Sequence, residues 1–310
     1  MRRVMIDTRI AVLVPCFNEA ATVAAVVHGF RAALPAAEVY VYDNNSTDDT
    51  AARAREAGAT VRQEGGQGKG QVVRRMLADV DADIYVMVDG DDTYDPASSP
   101  AMMERMLSGN LDLVNGRRIE AHPSSYRFGH RWGNRFLSGL ISRLFDSHFE
   151  DVLSGYKVFS RRFAKSFPVL SAGFEIETEI AVHALSLGVS TAEIDTPYRN
   201  RREGSTSKLS TFRDGFRILR TIVVLFKEEK PLAFFSWVAA VLAAVSIALA
   251  VPVIIEFMNS GLVPRLPTAV LATGVMLSAL LSFVCGVILE SVKRGQREIK
   301  RLFYLQTPER

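Results

Sequence analysis

Cysteine is scarce in this sequence. Its 310 residues include two, Cys16 and Cys285, and the second lies inside a long apolar segment, so a disulfide between them is implausible. The formal net charge is only +3, so the sequence has no large excess of charge that would indicate a nucleic-acid partner. No nucleic-acid-binding motif is present either. The first 15 residues lack the long apolar region and the small-residue cleavage site of a signal peptide, so we expect none.

Charged residues are absent from two long apolar segments near the C-terminus, Pro231 to Ile255 and Leu266 to Leu289. Each exceeds the roughly 20 residues that cross a bilayer core as a helix. We therefore predict two transmembrane helices within residues 231–290. A pair of buried core helices is the alternative, although core helices are seldom so long and so free of charge.

Basic residues flank these segments unevenly. The connecting loop 256–265 holds one arginine, whereas six lysines and arginines follow in 291–310 and five more lie between Arg213 and Lys230. The positive-inside rule then places both flanks in the cytoplasm. We expect an integral membrane protein with a cytosolic N-terminal region and a basic cytoplasmic tail, 291–310.

Strand and helix patterns alternate through the first 115 residues. Apolar runs of strand length lie at about 9–14, 38–42, 84–88 and 111–114. Between them apolar residues recur at helical spacing, and Asn18 is expected to cap a helix through about Leu34. This alternation predicts an α/β domain, residues 1–208, with a mostly parallel sheet.

Two later segments also carry apolar residues at helical spacing, Trp132–Phe145 and Phe212–Phe226. Each is typical of a helix that faces a core. Beside two membrane spans, a helix that lies in the bilayer interface explains the pattern equally well. We assign residues 209–230 as an interfacial amphipathic helix.

Aspartates cluster in the stretch VDGDDTYD, directly after the apolar run 84–88. Four of them fall within seven positions: Asp89, Asp91, Asp92 and Asp95. Like charges this close repel each other, and a bound cation would relieve the repulsion. Asp89 and Asp91 place two hard oxygen donors on one turn, an arrangement that suits Mg²⁺ or Mn²⁺ completed by phosphate oxygens.

Two other interpretations of this cluster stay open on the residues alone. The stretch also matches the Asp-x-Asp-x-Thr motif of haloacid dehalogenase phosphatases, in which the first Asp is a nucleophile. That motif normally follows the first strand, and no later Gly-Asp-x-x-x-Asp pattern occurs. A solvated acidic loop is the other alternative, and it suits Asp92 and Asp95 better than Asp89 and Asp91.

The stretch EGGQGKG at 64–70 is rich in glycine. It is weak as a nucleoside-triphosphate loop, because Gly70 stands where such a loop needs Ser or Thr. We expect its glycines to let the backbone turn closely beneath the site. Lys69 would then face a phosphate.

Three of these stretches resemble family-2 glycosyltransferases of GT-A fold, in the order of that family. They are VPCFNEAATV at 14–23, DNNSTDDT at 43–50 and VDGDDTYD at 88–95. Four more are similar to the polyprenyl-phosphate branch, which includes dolichyl-phosphate mannose synthases and undecaprenyl-phosphate glucosyltransferases: GRR at 116–118, DVLSGYK at 151–157, FEIETEI at 174–180 and RNRREGSTSKL at 199–209. The resemblance covers about residues 10–230, and the membrane spans are similar in type only.

The resemblance implies a role for each matching residue. Those implied to bind the nucleotide-sugar donor are Pro15, Phe17, Glu19, Asp43, Asn44, Asp89, Gly90, Asp91, Arg117, Arg202 and Lys208. Asp89 and Asp91 would hold Mg²⁺ or Mn²⁺. Arg117 would approach the donor or acceptor phosphate, while Arg202 and Lys208 would close over the donor phosphates.

The catalytic residues implied in this way are Asp91, Arg117 and Asp151. Asp151 would orient the acceptor or a sugar hydroxyl, and a structural role in capping the turn at Ser154 and Gly155 is an equal alternative. The sequence departs from the family at Thr93, where mannose synthases have a Gln metal ligand, and at Asn44, where Asp is commoner. No Gln-x-x-Arg-Trp appears, which argues against a processive synthase.

We therefore expect a membrane-bound, inverting, metal-dependent glycosyltransferase. It would move a sugar from a UDP- or GDP-sugar to polyprenyl phosphate at the cytoplasmic face of a bacterial inner membrane. A lipid phosphate, with a second pKa near ~6, is largely dianionic at neutral pH and needs no strong general base.

Other functions stay open. They are transfer to the hydroxyl of another membrane lipid, with Asp151 as base, and a non-catalytic membrane scaffold or sugar-nucleotide sensor. The sugar, the nucleotide, the prenyl length and self-association through the small residues of the spans are open as well.

Overall fold

A computed structural model of the chain describes residues 8–120, 139, 149–169, 176–199, 223–224 and 226–308. The chain divides into two units, residues 1–216 with 299–310, and residues 217–298. Several predictions lie outside the described residues: the helix at 132–145, most of the interfacial helix at 209–230, and both Arg202 and Lys208.

The described part of the first unit alternates strands with helices, as the sequence pattern predicts. The strands are β1 (Ile10–Cys16), β2 (Ala37–Asp43), β3 (Thr60–Gln63), β4 (Ile84–Met87), β5 (Leu113–Glu120), β6 (Lys157–Ser160) and β7 (Thr191–Tyr198). The helices are α1 (Val23–Ala33), α2 (Thr50–Glu56), α3 (Lys69–Asp79), α4 (Ser99–Ser108), α5 (Arg161–Ser166) and α6 (Ile176–Leu187). A 3₁₀ turn, Pro96–Ser98, precedes α4.

The seven strands form one sheet in the order β3-β2-β1-β4-β6-β5-β7. Strand β6 runs antiparallel to β4 and β5, and every other neighbouring pair is parallel. The predicted mostly parallel α/β sheet is therefore confirmed. The carboxyl ends of β1, β2, β4 and β5 share one edge of the sheet with the amino end of β6, so the loops there converge.

The sequence of β1 does not alternate between apolar and polar residues, because both faces of this strand are buried. All seven of its residues are buried, and Val12 pairs with Val39 on one side and Val86 on the other. Helices cover both faces of such a sheet, so its central strands are apolar on both faces. Burying each Val, Leu or Phe side chain stabilises the fold by roughly 1.5–3 kcal/mol.

Helix α1 begins at Val23, five residues later than the expected cap at Asn18. The expected helix cap at Asn18 is wrong, because the Asn18 side chain accepts a hydrogen bond from another loop. Its backbone is left-handed, with φ of 54°, and its Oδ1 accepts a hydrogen bond from the backbone N–H of Thr47 at 2.8 Å. Asn18 thus joins the loop after β1 to the loop after β2.

The second unit contains most of two long apolar helices, α7 (Pro231–Ser260) and α8 (Leu266–Gln306). Their most apolar 18-residue windows have mean hydropathies of 2.8 and 2.2, and 11% and 17% of those windows is buried. Large apolar side chains such as Ile247, Leu281 and Ile288 are exposed. By length and composition both helices are candidate membrane spans.

Buried residues, most of them small, line the contact between α7 and α8 at seven-residue intervals. The buried positions in this series are Ala239, Ser246 and Val253 on α7, and Ala272, Ala279, Gly286 and Lys293 on α8. Every seventh residue returns to nearly the same side of a helix, so each series forms one contact stripe. The Ser246 hydroxyl donates to the Ala272 carbonyl at 2.8 Å, and Lys293 pairs with Glu229 at 2.6 Å.

Helix α8 continues to Gln306, so the basic segment predicted as a tail from residue 291 is helical for most of its length. Residues 299–310 belong to the first unit. There the Tyr304 hydroxyl donates to Asp112 at 2.9 Å, and Arg162 Nε donates to the Thr307 carbonyl at 3.0 Å. The end of the helix is thereby attached to the sheet domain.

His183 of α6 is buried and packs against Phe163 and Phe167, with ring centroids 5.3 and 5.1 Å away. Its Nδ1 has no hydrogen-bond partner among the described residues. Burial, with a smaller contribution from the charge of Lys300, lowers the pKa of His183 to about 3. The folded protein therefore holds this imidazole neutral.

We predict that replacing Gly286 destabilises the α7–α8 pair. A Cβ at Gly286 would lie 2.9 Å from the Phe235 Cβ, whereas nothing lies within 4 Å of one at Gly274. Gly286→Leu should lower the free energy of unfolding in detergent by about 1–3 kcal/mol, the usual cost of overpacking. Gly274→Leu on the same helix is the control, and an equal loss in both variants would contradict the prediction.

We also predict acid sensitivity from His183. An unfolded histidine has a pKa near ~6.5, so between that pH and about pH 3 the unfolded state binds more protons and stability is lost as pH falls. From pH 7 to pH 5 this group should cost about 2 kcal/mol. Thermal unfolding should be measured at pH 7 and at pH 5. The loss of stability between the two pH values should be smaller in His183→Phe than in the wild type, and equal to the wild-type loss in the exposed control His28→Gln. An unchanged pH dependence in His183→Phe would rule the explanation out.

Candidate active site

Hydrogen bonds tie together the polar loops at the carboxyl edge of the sheet. The Thr22 hydroxyl donates to the Gly90 carbonyl at 2.7 Å, and the backbone N–H of Glu19 donates to the Thr50 hydroxyl at 2.8 Å. The backbone N–H of Asn44 donates to the Cys16 carbonyl at 2.8 Å. The loops after β1, β2 and β4 therefore form one rim, as their positions in the sequence predict.

The buried thiol of Cys16 shows how closely the acidic residues converge on this rim. Burial raises its pKa, and the charges of Glu19, Asp43, Asp89 and Asp91 raise it further. The structure thus brings together carboxylates from all three loops. Two other residues implied by the resemblance lie close by. Pro15 lies near the end of β1 and pairs with Tyr42 of β2, and Phe17 is half-buried in the loop that follows β1.

Asp91 is held in place by its neighbour. It is 4% exposed, and its Oδ1 accepts hydrogen bonds from the Thr93 hydroxyl at 2.6 Å and the Thr93 backbone N–H at 3.3 Å. Thr93, which by the resemblance stands where mannose synthases have a metal-binding Gln, therefore orients an acidic side chain in this structure.

Lys69, the first residue of α3, lies between two carboxylates. Its ammonium donates hydrogen bonds to Asp89 Oδ1 and to Glu177 Oε1. Burial by itself would lower the pKa of Lys69, but the charges of Asp89 and Glu177 outweigh it and raise the pKa. Lys69 was expected to face a phosphate, and in this structure it is a charged partner of the acidic cluster.

Asn44 fixes the glycine-rich loop that carries Lys69. Its Nδ2 donates to the carbonyls of Gly66 at 2.7 Å and Glu64 at 3.1 Å, and its Oδ1 accepts from the Gly68 N–H at 2.8 Å. Gly68 has φ of 122°, a conformation that glycine adopts readily. Asn44, which the resemblance implies to bind the nucleotide-sugar donor, is thus also the support of this loop.

Glu177 is a site residue that the sequence reasoning did not single out. It lies in the first turn of α6 and is 5% exposed. Burial raises its pKa, Lys69 opposes this, and Asp89 adds to it. The available signal was a glutamate between Ile176 and Ile180 in an apolar helix, because acidic residues are rarely buried without a partner.

Arg117 and Arg118 follow each other on β5 and therefore point to opposite faces of the sheet. Arg117 pairs with Asp195 at 2.6 Å and also with Glu150. Arg118 lies over the Tyr198 ring, 5.5 Å from its centroid. Burial raises the pKa of Tyr198, Asp91 adds to the rise, and Arg118 opposes it, so Arg118 is the arginine of this pair on the side of the aspartates.

Asp151 is 4% exposed, and Arg118 engages both its oxygens at 2.7 Å. A second network lies below it: Asn115 Nδ2 donates to the Asp151 carbonyl at 2.9 Å, and Lys157 donates to Asn115 Oδ1 at 2.6 Å. Burial lowers the pKa of Lys157 to about 8, although nearby carboxylates, Glu177 first among them, oppose this. The geometry thus makes Asp151 the anchor of Arg118.

The donor set of the acidic cluster fits a hard divalent ion. Among the described residues, no three His, Cys, Asp or Glu side chains converge as a ready-made metal cage. Asp89 and Asp91 remain as candidate metal ligands, and in this structure the Lys69 ammonium pairs with Asp89. Gly155 packs against the other side, where a Cβ would fall 2.3 Å from Asp89 Oδ2. Mg²⁺ is commonly bound by one or two carboxylates together with substrate phosphates.

Comparison with known sequences identifies similar proteins. The family model described as Glycosyl transferase family 2 matches residues 11–167. Glycosyltransferase AglJ of Haloferax volcanii is 31% identical over 299 residues, which cover 96% of this chain and 98% of that protein. Dolichyl-phosphate hexose transferase of the same organism is 28% identical over 222 residues, covering 71% and 95% of the two chains.

A solved structure with a similar fold is glucosyl-3-phosphoglycerate synthase from Mycobacterium tuberculosis in complex with Mn²⁺, UDP and phosphoglyceric acid. It has a TM-score of 0.58 and 25% identity, and covers 71% of this chain and 78% of that one. Another structure of that enzyme contains Mg²⁺ and UDP. The predicted GT-A fold is confirmed, and Mg²⁺ or Mn²⁺ is the cofactor that such neighbours bind.

Proposed function

Because the chain belongs to glycosyl transferase family 2, we propose that it is a membrane-bound, metal-dependent hexosyltransferase acting on polyprenyl phosphate. The donor is a nucleotide-sugar, and the product is a lipid-phosphate-linked sugar. The observation that carries the proposal is the acidic cluster at the sheet edge, where Asp89 pairs with Lys69 and Asp91 is buried beside Thr93, in a chain that also holds two candidate membrane spans. A relative named dolichyl-phosphate hexose transferase supports a polyprenyl-phosphate acceptor.

The reaction forms a bond between an oxygen of the lipid phosphate and the anomeric carbon of the sugar. The bond from that carbon to the donor diphosphate breaks, and its electron pair leaves with the nucleoside diphosphate. Direct displacement inverts the anomeric configuration. When bound, the metal ion supplies charge stabilisation for the departing diphosphate.

The protein's own residues manage charge in this reaction. Asp89 and Asp91 hold the metal ion, while Asp43 and Asn44 lie at the nucleotide base. Arginine side chains offset the repulsion between the donor diphosphate and the acceptor phosphate. The resemblance assigns Arg202 and Lys208 to the donor phosphates as well.

We propose a positioning role for Asp151, because Arg118 engages both of its oxygens. A dianionic phosphate is a nucleophile without the help of a base. A lipid hydroxyl would need a general base, and Asp151 could serve as that base only if its ion pair with Arg118 were broken. The phosphate acceptor therefore agrees better with this contact.

The basic residues around the spans support a cytoplasmic active site at a bacterial inner membrane. Glu256, Arg265 and the short loop between them then face the opposite side. A prenyl chain stays in the bilayer, so the sheet domain works beside the lipid headgroups.

We predict that Asp91 is required for transfer. Purified full-length protein is incubated with short-chain polyprenyl phosphate, Mn²⁺ and a panel of nucleotide-sugars, and the glycolipid is measured by mass spectrometry. Asp91→Asn should lower the rate by about 10²-fold or more, the scale of a lost electrostatic contact in an active site. Asp92→Asn is the matched control, since Asn tolerates the left-handed backbone at this position.

Chelation of the metal should also abolish the product, and fresh Mn²⁺ should restore it. Full activity in chelator or in Asp91→Asn would overturn the metal-dependent mechanism. Transfer to a lipid hydroxyl but not to polyprenyl phosphate would favour the other membrane acceptor. Donor binding without any transfer would favour the scaffold.

We predict that Arg118→Gln impairs the enzyme more than Arg117→Gln does. Arg118 lies beside Tyr198 and the aspartates, whereas Arg117 is paired with the more exposed Glu150 and Asp195. The KM for polyprenyl phosphate should rise by about tenfold or more in Arg118→Gln and by less than about threefold in Arg117→Gln, because exposed ion pairs contribute little. The reverse order would support the assignment of Arg117 by resemblance.

A further inference from the structure

A divalent ion that binds Asp89 would compete with Lys69 for that carboxylate. The Lys69 ammonium is bonded to Oδ1, and the backbone of Gly155 packs against the carboxylate from the Oδ2 side. A metal ion on Asp89 and an ammonium on the same oxygen would be like charges in close contact. Their repulsion in a partly buried site is far stronger than in water.

Glu177 gives Lys69 a second partner that does not depend on Asp89. The Lys69 side chain is 10% exposed and that of Glu177 is 7% exposed, whereas that of Asp89 is 29% exposed. The Lys69–Glu177 pair is thus the deeper of the two contacts. Lys69 can release Asp89 and still keep a carboxylate partner, which avoids leaving either charge buried and uncompensated.

We propose that Lys69 is the resident cation of the metal site. It neutralises Asp89 while no metal is bound, leaves Asp89 when the divalent ion arrives, and stays with Glu177. Metal binding therefore displaces an internal cation, and the metal binds weakly until the donor diphosphate supplies further oxygens. This inference rests on the proposed function only in assigning the metal to Asp89.

The test is Mn²⁺ affinity of the full-length protein without nucleotide, measured by electron paramagnetic resonance of free Mn²⁺. Lys69→Met removes the competitor and should tighten Mn²⁺ binding by about tenfold or more, since the displaced contact is a partly buried ion pair. Lys69→Arg keeps a cation that can bridge the two carboxylates and should stay within about threefold of wild type.

Lys157→Met is the matched control. Lys157 is a fully buried lysine whose pKa is also influenced by Glu177, and its hydrogen bonds go to Asn115 and Val152. The variant removes one positive charge near the site while leaving the Lys69–Asp89 contact intact. It should change Mn²⁺ affinity by less than about threefold if displacement, and not the general field, sets the affinity.

Equal tightening in Lys69→Met and Lys157→Met overturns the proposal, as does unchanged or weaker Mn²⁺ binding in Lys69→Met. Should Lys69→Met fail to fold by circular dichroism, Glu177→Gln gives the answer. With Asp89 as its remaining partner, Lys69 should hold that carboxylate more firmly and weaken Mn²⁺ binding by about tenfold. Unchanged or tighter binding in Glu177→Gln contradicts the proposal.

This experiment separates the inference from the proposed function because it needs no acceptor and no turnover. A Lys69→Met effect in a protein that never transfers a sugar leaves the inference standing and removes the function. If the protein transfers sugar in a metal-dependent way but Lys69→Met leaves the Mn²⁺ affinity unchanged, the proposed function stands and the inference is overturned.

Discussion

The concentration of negative charge at one edge of the sheet is the constraint on which the site depends. A parallel sheet gathers the ends of several strands at one place, and here Asp43 ends β2 while Asp89 and Asp91 follow β4. Buried charges persist in proteins only when they are paired. Lys69 pairs with Asp89 and Glu177, and Arg118 pairs with Asp151, so the charged residues around the site form one interdependent set.

Placing those cations requires structure that is remote in the sequence. Lys69 reaches Asp89 because Asn44, at the end of the neighbouring strand, holds the glycine-rich loop. Arg118 is oriented by Asp151, which arrives from a different connection. Asn44 and Asp151 thus set the positions of Lys69 and Arg118, and substitutions at either residue should move those cations.

Sequence reasoning succeeded where the signal was local. The apolar runs of β1 and β4, the apolar spacing of α1, the order of the polar loops and the two charge-free segments all follow from neighbouring residues. It failed where a distant partner decides. Asn18 bonds to Thr47 and does not cap a helix, β6 reverses direction in the sheet, and the roles of Glu177 and Arg118 depend on side chains far along the chain. Nothing local distinguishes Arg118 from Arg117 except the strand register.

The seven-residue spacing of Ala239, Ser246, Ala272, Ala279 and Gly286 has a mechanical consequence. Sliding one helix past the other by one turn would push bulky side chains into the narrow gaps that these residues leave. The next position in which the two surfaces interlock again lies seven residues away, or roughly 10 Å along the axis. The paired helices are therefore held against sliding in small steps along their axes.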